Sequence, residues 1–91
     1  MLIVVSYDIA DDRRRSWVAK TMEDYGRRVQ FSVFECFLQE DRLQKMKTTL
    51  AKFMNLSEDS VRIYRLCRKD RETIEVLGKG TVHGEEDVVV L

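Results

Sequence analysis

Residues 1–9 read Met1-Leu2-Ile3-Val4-Val5-Ser6-Tyr7-Asp8-Ile9, an apolar run that gives way to a lone acid between Tyr7 and Ile9. A short apolar run without alternation suits a strand covered on both faces, so this stretch is expected at the centre of a sheet. The strand then delivers Asp8 to its own C-terminal mouth. Asp11, Asp12, Arg13, Arg14 and Arg15 follow within seven positions. Two readings stand side by side. In one, Asp8 ends a strand and Asp11 or Asp12 caps the next helix, as Asp commonly does. In the other, a carboxylate beside clustered guanidiniums is a place for chemistry on phosphates.

Outward from this strand the period changes. Over Asp12 to Tyr25, Arg14, Val18, Thr21, Met22 and Tyr25 share one helical stripe with Trp17 beside it. Gly26 is expected to stop that helix in a left-handed conformation. Residues 27–38 return to alternation, with Val29, Phe31, Val33 and Phe37 on one face and Gln30, Ser32, Phe34, Cys36 and Leu38 on the other. They fit one long strand or two short ones joined by a tight turn. Glu40 to Met54 predicts a second helix, striped by Leu43, Met46, Leu50, Phe53 and Met54. Val61 to Cys67 predicts a strand, residues 68–72 a charged link, and Thr73 to Leu77 a short strand ended by Gly78-Lys79-Gly80. Val88 to Leu91 is apolar again.

This order is βαββαβ with an extra C-terminal strand: an α+β, ferredoxin-like sandwich with two helices on one face of an antiparallel sheet. Residues 1–91 are expected to form a single domain. The open sheet face is expected to carry Phe34, Tyr64 and Leu66. Apolar side chains there, with the surplus C-terminal strand, point to a symmetric homodimer that covers the face.

Composition narrows the class. Apolar residues make up 44% of the 91-residue chain and charged residues 35%, which fits a globular domain and not a disordered one. No apolar stretch reaches membrane-spanning length, and no basic region precedes the first apolar run, so neither a membrane partner nor a signal peptide is expected. Cys36 and Cys67 lie in apolar segments without metal or CxxC spacing. They read as reduced core residues of a cytoplasmic protein. Net charge is zero, yet Arg13, Arg14, Arg15, Lys20, Arg27 and Arg28 fall in the first third and Glu85, Glu86 and Asp87 near the end. Such segregation builds either a positive face for a polyanion or a solvated charged surface.

The usual hydrolase and nucleotide-loop signatures are missing, and the one histidine, His83, stands in a Gly-rich loop. Asp8 is the remaining catalytic and metal-binding candidate. Magnesium needs only one or two protein carboxylates, because water and phosphate oxygens complete its shell. Two copies of Asp8 facing across a dimer axis would supply them. Arg14, Arg15, Arg27 and Arg28 are candidates to hold phosphates, and Tyr7 or Phe34 to pack near a base. All are expected to converge on one rim.

Tyr7-Asp8-Ile9, the acid–arginine cluster Asp11 to Arg15, and the block Tyr25-Gly26-Arg27-Arg28-Val29-Gln30-Phe31-Ser32-Val33-Phe34-Glu35 together carry a resemblance. The chain resembles the small CRISPR-associated subunit of the spacer-integration complex, over nearly its whole length. The resemblance implies a ferredoxin-like homodimer acting in spacer acquisition during antiviral defence. It implies a metal-dependent endonuclease on RNA or DNA, using Mg2+ with Mn2+ as a substitute. It equally implies a non-catalytic bridge that clamps duplex DNA and binds a CRISPR integrase subunit. Carried onto this sequence, Asp8 becomes the metal-binding acid of each protomer, lined by Tyr7, Arg27, Ser32 and Phe34. One of Arg13, Arg14 and Arg15 would contact the nucleic-acid backbone, and Arg27 and Arg28 would add to it. The same likeness implies two strands meeting near Ser32, and residues 73–91 docking on the partner protomer. The sequence departs from the family block after Glu35, where Cys36-Phe37 follows.

Overall fold

The computed structural model describes residues 1–80. Leu2–Asp8 forms β1, Asp12–Glu23 α1, Arg27–Gln30 β2, Val33–Phe37 β3, Glu40–Phe53 α2, Ser60–Leu66 β4 and Arg68–Arg71 a short α3. The sheet order is β2-β3-β1-β4 with every neighbouring pair antiparallel. The apolar run of β1 is therefore central, flanked by β3 and β4. The ambiguous 27–38 stretch is two strands with a turn at Phe31 and Ser32.

Strand parity sorts the side chains. Ile3, Val5 and Tyr7 of β1 point to the helices, beside Phe34 and Cys36 of β3 and against Val18, Met22, Leu43, Met46 and Leu50. These form one buried core, each large side chain contributing ~1.5–3 kcal/mol of burial. Leu2, Val4, Ser6 and Asp8 take the other face, registered with Val33, Glu35 and Phe37 on one side and Arg62, Tyr64 and Leu66 on the other. Tyr64 and Leu66 thus lie on the open face as expected. Phe34 does not. It is fully buried on the helix side, because its register partners Val5 and Arg28 both face that way.

The helix ends have local causes. Asp11 caps α1, its carboxylate accepting from the Arg14 amide at 2.9 Å. Gly26 adopts no left-handed conformation, contrary to expectation. It is needed for close approach: a Cβ there would overlap the Glu35 carbonyl and the Cys36 sulfur. Residues 68–72, read as a link, contain α3, which starts because Cys67 and Asp70 cap one another reciprocally. Thr73–Leu77, expected as a strand, pairs with no strand of this chain among the described residues. Glu75, Val76, Leu77, Lys79 and Gly80 instead border a cleft of about 500 Å³ along β2. The apolar Val88–Leu91 segment, His83 and the acids at 85–87 lie outside the described residues.

Candidate functional site

Asp8 ends β1 on the open face, exposed, and opposite Ser60 of β4. Its other flank is the β2–β3 turn, since the Tyr7 amide donates to the Ser32 carbonyl at 3.0 Å. Ser32 therefore stands at Asp8's end of the sheet, where the family block would put it. Among the described residues no trio of Asp, Glu, His or Cys gathers to hold a metal ion. Among the described residues, Asp8 brings one carboxylate to this strand end.

Tyr7 points the other way. Only 5% of it is exposed, its ring stacks on Phe34 at a centroid distance of 6.2 Å, and its hydroxyl donates to the Phe31 carbonyl at 3.4 Å. Burial pushes its phenol above the usual range. Tyr7 and Phe34 thus support the floor beneath Asp8 and the turn. With no exposed surface, Phe34 has no face to offer a base, which corrects its assignment to the site lining.

The three consecutive arginines divide their work. Arg14 Nε donates to Asp59 Oδ2 at 2.9 Å, and its Nη2 to Glu58 at 3.2 Å. The Asp59 side chain is fully buried and also accepts from the Ala10 amide at 3.0 Å and the Asn55 amide at 2.9 Å. The Arg14 guanidinium and these two amides pull the Asp59 carboxyl down to about 2. Asp59 so ties the loop after Asp8 to the loop before β4. Arg15 donates to the Ile9 carbonyl at 3.0 Å and pairs with Asp12. Arg13 is exposed on the first turn of α1, beside Ser16, Trp17 and Lys20.

Arg27 does not join this rim. Arg27 registers with Glu35, and Glu35 with Val4. That places it about 13 Å along the strands and about 10 Å across them from Asp8, by ordinary strand geometry. Arg28 lies over Phe34, its guanidinium carbon 5.3 Å from the ring centroid. Both border the cleft beside β2, with Glu35, Glu75, Val76 and Lys79. The expected convergence of all the arginines on Asp8 thus fails for Arg27, while Arg28 reaches from β2 towards the β2–β3 turn, its guanidinium carbon 6.0 Å from the Phe31 ring centroid.

A βαββαβ order with one four-stranded antiparallel sheet and helices on one face defines a ferredoxin-like domain. The family described as CRISPR associated protein Cas2 matches residues 1–74, and the chain belongs to that family. It is 44% identical over 81 residues to the CRISPR-associated endoribonuclease Cas2 1 of Chloroflexus aurantiacus, covering 88% of this chain and 87% of that one. It is 40% identical over 90 residues to the CRISPR-associated endonuclease Cas2 2 of Thermus thermophilus, covering 99% and 96%. Among solved structures, Streptococcus pyogenes Cas2 is 35% identical with a TM-score of 0.76, covering 86% of this chain and 100% of that one. A chain of a partial Cas6-RT-Cas1–Cas2 complex is 26% identical with a TM-score of 0.73, covering 84% and 89%.

Proposed function

We propose that this chain is an endonuclease subunit of the adaptation stage of CRISPR defence, hydrolysing phosphodiester bonds as a symmetric homodimer. The observation that carries this reading is the exposed Asp8 carboxylate at the end of the central strand, next to the arginine-bearing first turn of α1. The relatives named endoribonuclease and endonuclease support it. A hard oxygen donor suits Mg2+ or Mn2+, and one carboxylate from each of two protomers meets magnesium's modest demand for protein ligands. When bound, such an ion polarises the phosphodiester and lowers the pKa of its water. Arg13 holds the substrate backbone, while Asp59, Arg14 and Arg15 keep the loop after Asp8 in place. Ser32 borders the site from the β2–β3 turn. The open face, carrying Val4, Val33, Phe37, Tyr64 and Leu66, is the surface the second protomer covers, and Thr73–Leu77 docks on that protomer's sheet. No helix among the described residues is long and apolar enough to cross a membrane. The free thiols of Cys36, buried as expected, and Cys67, exposed where a core position was expected, suit the cytoplasm.

The deciding experiment assays wild type and Asp8→Ala side by side on defined RNA and DNA, with magnesium, manganese or EDTA. Cleavage that needs the metal and vanishes in the variant supports the reading. Equal cleavage by both proteins sinks it and points to a contaminating nuclease.

A second reading is a DNA-bridging scaffold that binds an integrase subunit and does no chemistry. It is favoured by the basic cleft beside β2, where Arg27 stands two strands from Asp8, and by the likeness to a chain of a Cas1–Cas2 complex. Under it, Asp8→Ala still supports spacer acquisition, while charge reversal at Arg27 and Arg28 abolishes it.

A further inference from the structure

The turn between β2 and β3 holds a phenyl ring out in solvent at the end of the sheet where Asp8 stands. Phe31 is 74% exposed, at a turn position that ordinarily favours Gly, Asn, Asp or Ser. β3 begins at Val33, the register partner of Ser6, so Phe31 lies in the turn just beyond the end of the β1–β3 ladder, at the end of the sheet that carries Asp8. The backbone beneath the ring is pinned twice by the residue preceding Asp8, through the Tyr7 amide to Ser32 and the Tyr7 hydroxyl to Phe31. The Arg28 guanidinium carbon lies 6.0 Å from the Phe31 ring centroid, adding positive charge beside an otherwise open aromatic surface. An anchored backbone with an exposed ring is a preorganised platform, which lowers the ordering cost of binding.

We infer that Phe31 is a base-stacking residue that selects unpaired nucleotides at the Asp8 end of the sheet. An unpaired base lays its face on the ring while its phosphates run towards Asp8 and Arg13. Aromatic stacking accepts any base, whereas the interior bases of a duplex are already stacked on one another and offer no free face. The role expected of Tyr7 or Phe34 thus falls to a third aromatic residue. This inference rests on the reading of the Asp8 end as a phosphodiester-cleaving site.

The test measures binding without cleavage. In EDTA, and in an Asp8→Ala background, fluorescence anisotropy compares a labelled single-stranded RNA, a single-stranded DNA of the same sequence and the corresponding blunt DNA duplex. Phe31→Ala is expected to weaken single-strand binding about tenfold while changing duplex binding by less than about twofold, and Phe31→Tyr to retain the original affinity. A loss confined to RNA or to DNA supports the inference and identifies the substrate. Unchanged single-strand affinity, or an equal loss for the duplex, overturns it. So does a change in oligomeric state on size exclusion, which would make Phe31 an interface residue. The cleavage reading fails separately, if protein with Asp8 intact shows no metal-dependent cleavage whatever the binding ratio.

Discussion

Arg14 and Asp59, 45 residues apart in the chain, meet with Arg14 Nε 2.9 Å from Asp59 Oδ2. The same carboxylate accepts from the Ala10 amide, two residues beyond Asp8, and from the Asn55 amide at the end of α2. One buried acid therefore joins the loop after β1, the first turn of α1 and the entry to β4. Removing either partner strands the other group in a site built for a pair. Arg14→Ala and Asp59→Asn are each expected to lower the denaturation midpoint. The double variant should lose less than the sum of the two, because both break one interaction. Additive losses in a urea double-mutant cycle would show that the two side chains act independently.

Acid should dissolve the same tie in a defined window. Asp59 has an ordinary carboxyl value of 3.8 in the unfolded chain and about 2 when folded. A depressed folded value means that the contribution is complete above pH 3.8 and lost as pH falls through about 2. Stability of the wild type should drop across that interval, and Asp59→Asn should flatten the drop. Parallel curves for the two proteins, followed by circular dichroism in acid, would contradict the assignment.

Asp8 and Phe34 were expected to share a site, and their opposite faces of the sheet separate the two by phenotype. Phe34→Ala empties a fully buried position and should cost ~3–5 kcal/mol in equilibrium unfolding. Any activity it loses should follow the lost folded fraction. Asp8→Ala, at an exposed strand end, should abolish metal-dependent cleavage with the melting temperature nearly unchanged. Stable Phe34→Ala protein with normal spectra and no activity would return Phe34 to the site.

The pattern of residues carried most of the fold and part of the site. β1 was legible from its unbroken apolar run, and both long helices and β4 from apolar residues at the period of each element, whereas alternation over residues 27–38 left one strand or two open until the family likeness implied two. The face taken by Phe34 was not legible. Both faces of β3 carry large apolar groups, Val33 and Phe37 against Phe34 and Cys36, so alternation gives two sets without saying which is inside. Asp59 was hidden for a different reason: a single acid in a polar loop looks like any solvated one, and its partner is distant in sequence. α3 is only four residues long and has no buried face to announce it. Arg27 and Arg28 were grouped with Arg13 to Arg15 by composition. Only the β2–β3 register shows that they stand two strands from Asp8.

Gly26 tests whether close approach, and not backbone conformation, is what the end of α1 requires. An added methyl would overlap the Glu35 carbonyl and the Cys36 sulfur, and the carbonyl is held in the β2–β3 ladder. Gly26→Ala should destabilise the fold by ~1–3 kcal/mol, the usual cost of overpacking. Gly26→Asn tolerates a left-handed backbone but is bulkier, so it should be no better than Ala. Rescue by Asn in a denaturant titration would favour the left-handed reading instead.

The arginine triplet should separate into a contact and two supports when nucleic-acid binding is measured against salt. Each phosphate neutralised by a cation releases condensed counterions, so the salt slope counts the phosphate contacts made. Arg13 is exposed on the first turn of α1, whereas Arg14 is committed to Asp59 and Glu58, and Arg15 to Ile9 and Asp12. Arg13→Ala should therefore weaken DNA binding across sequences and reduce the logarithmic salt slope by about one, with thermal stability preserved. Arg14→Ala should lower stability and leave the slope of the folded fraction unchanged. Arg15→Ala should loosen the Ile9 carbonyl, and so act on cleavage through the position of Asp8 more than on affinity. If Arg14→Ala alone reduced the slope in fully folded protein, the Asp59 pair would have to open on binding. Its arginine would then be the phosphate contact, with Asp59 left to the Ala10 and Asn55 amides that already surround it.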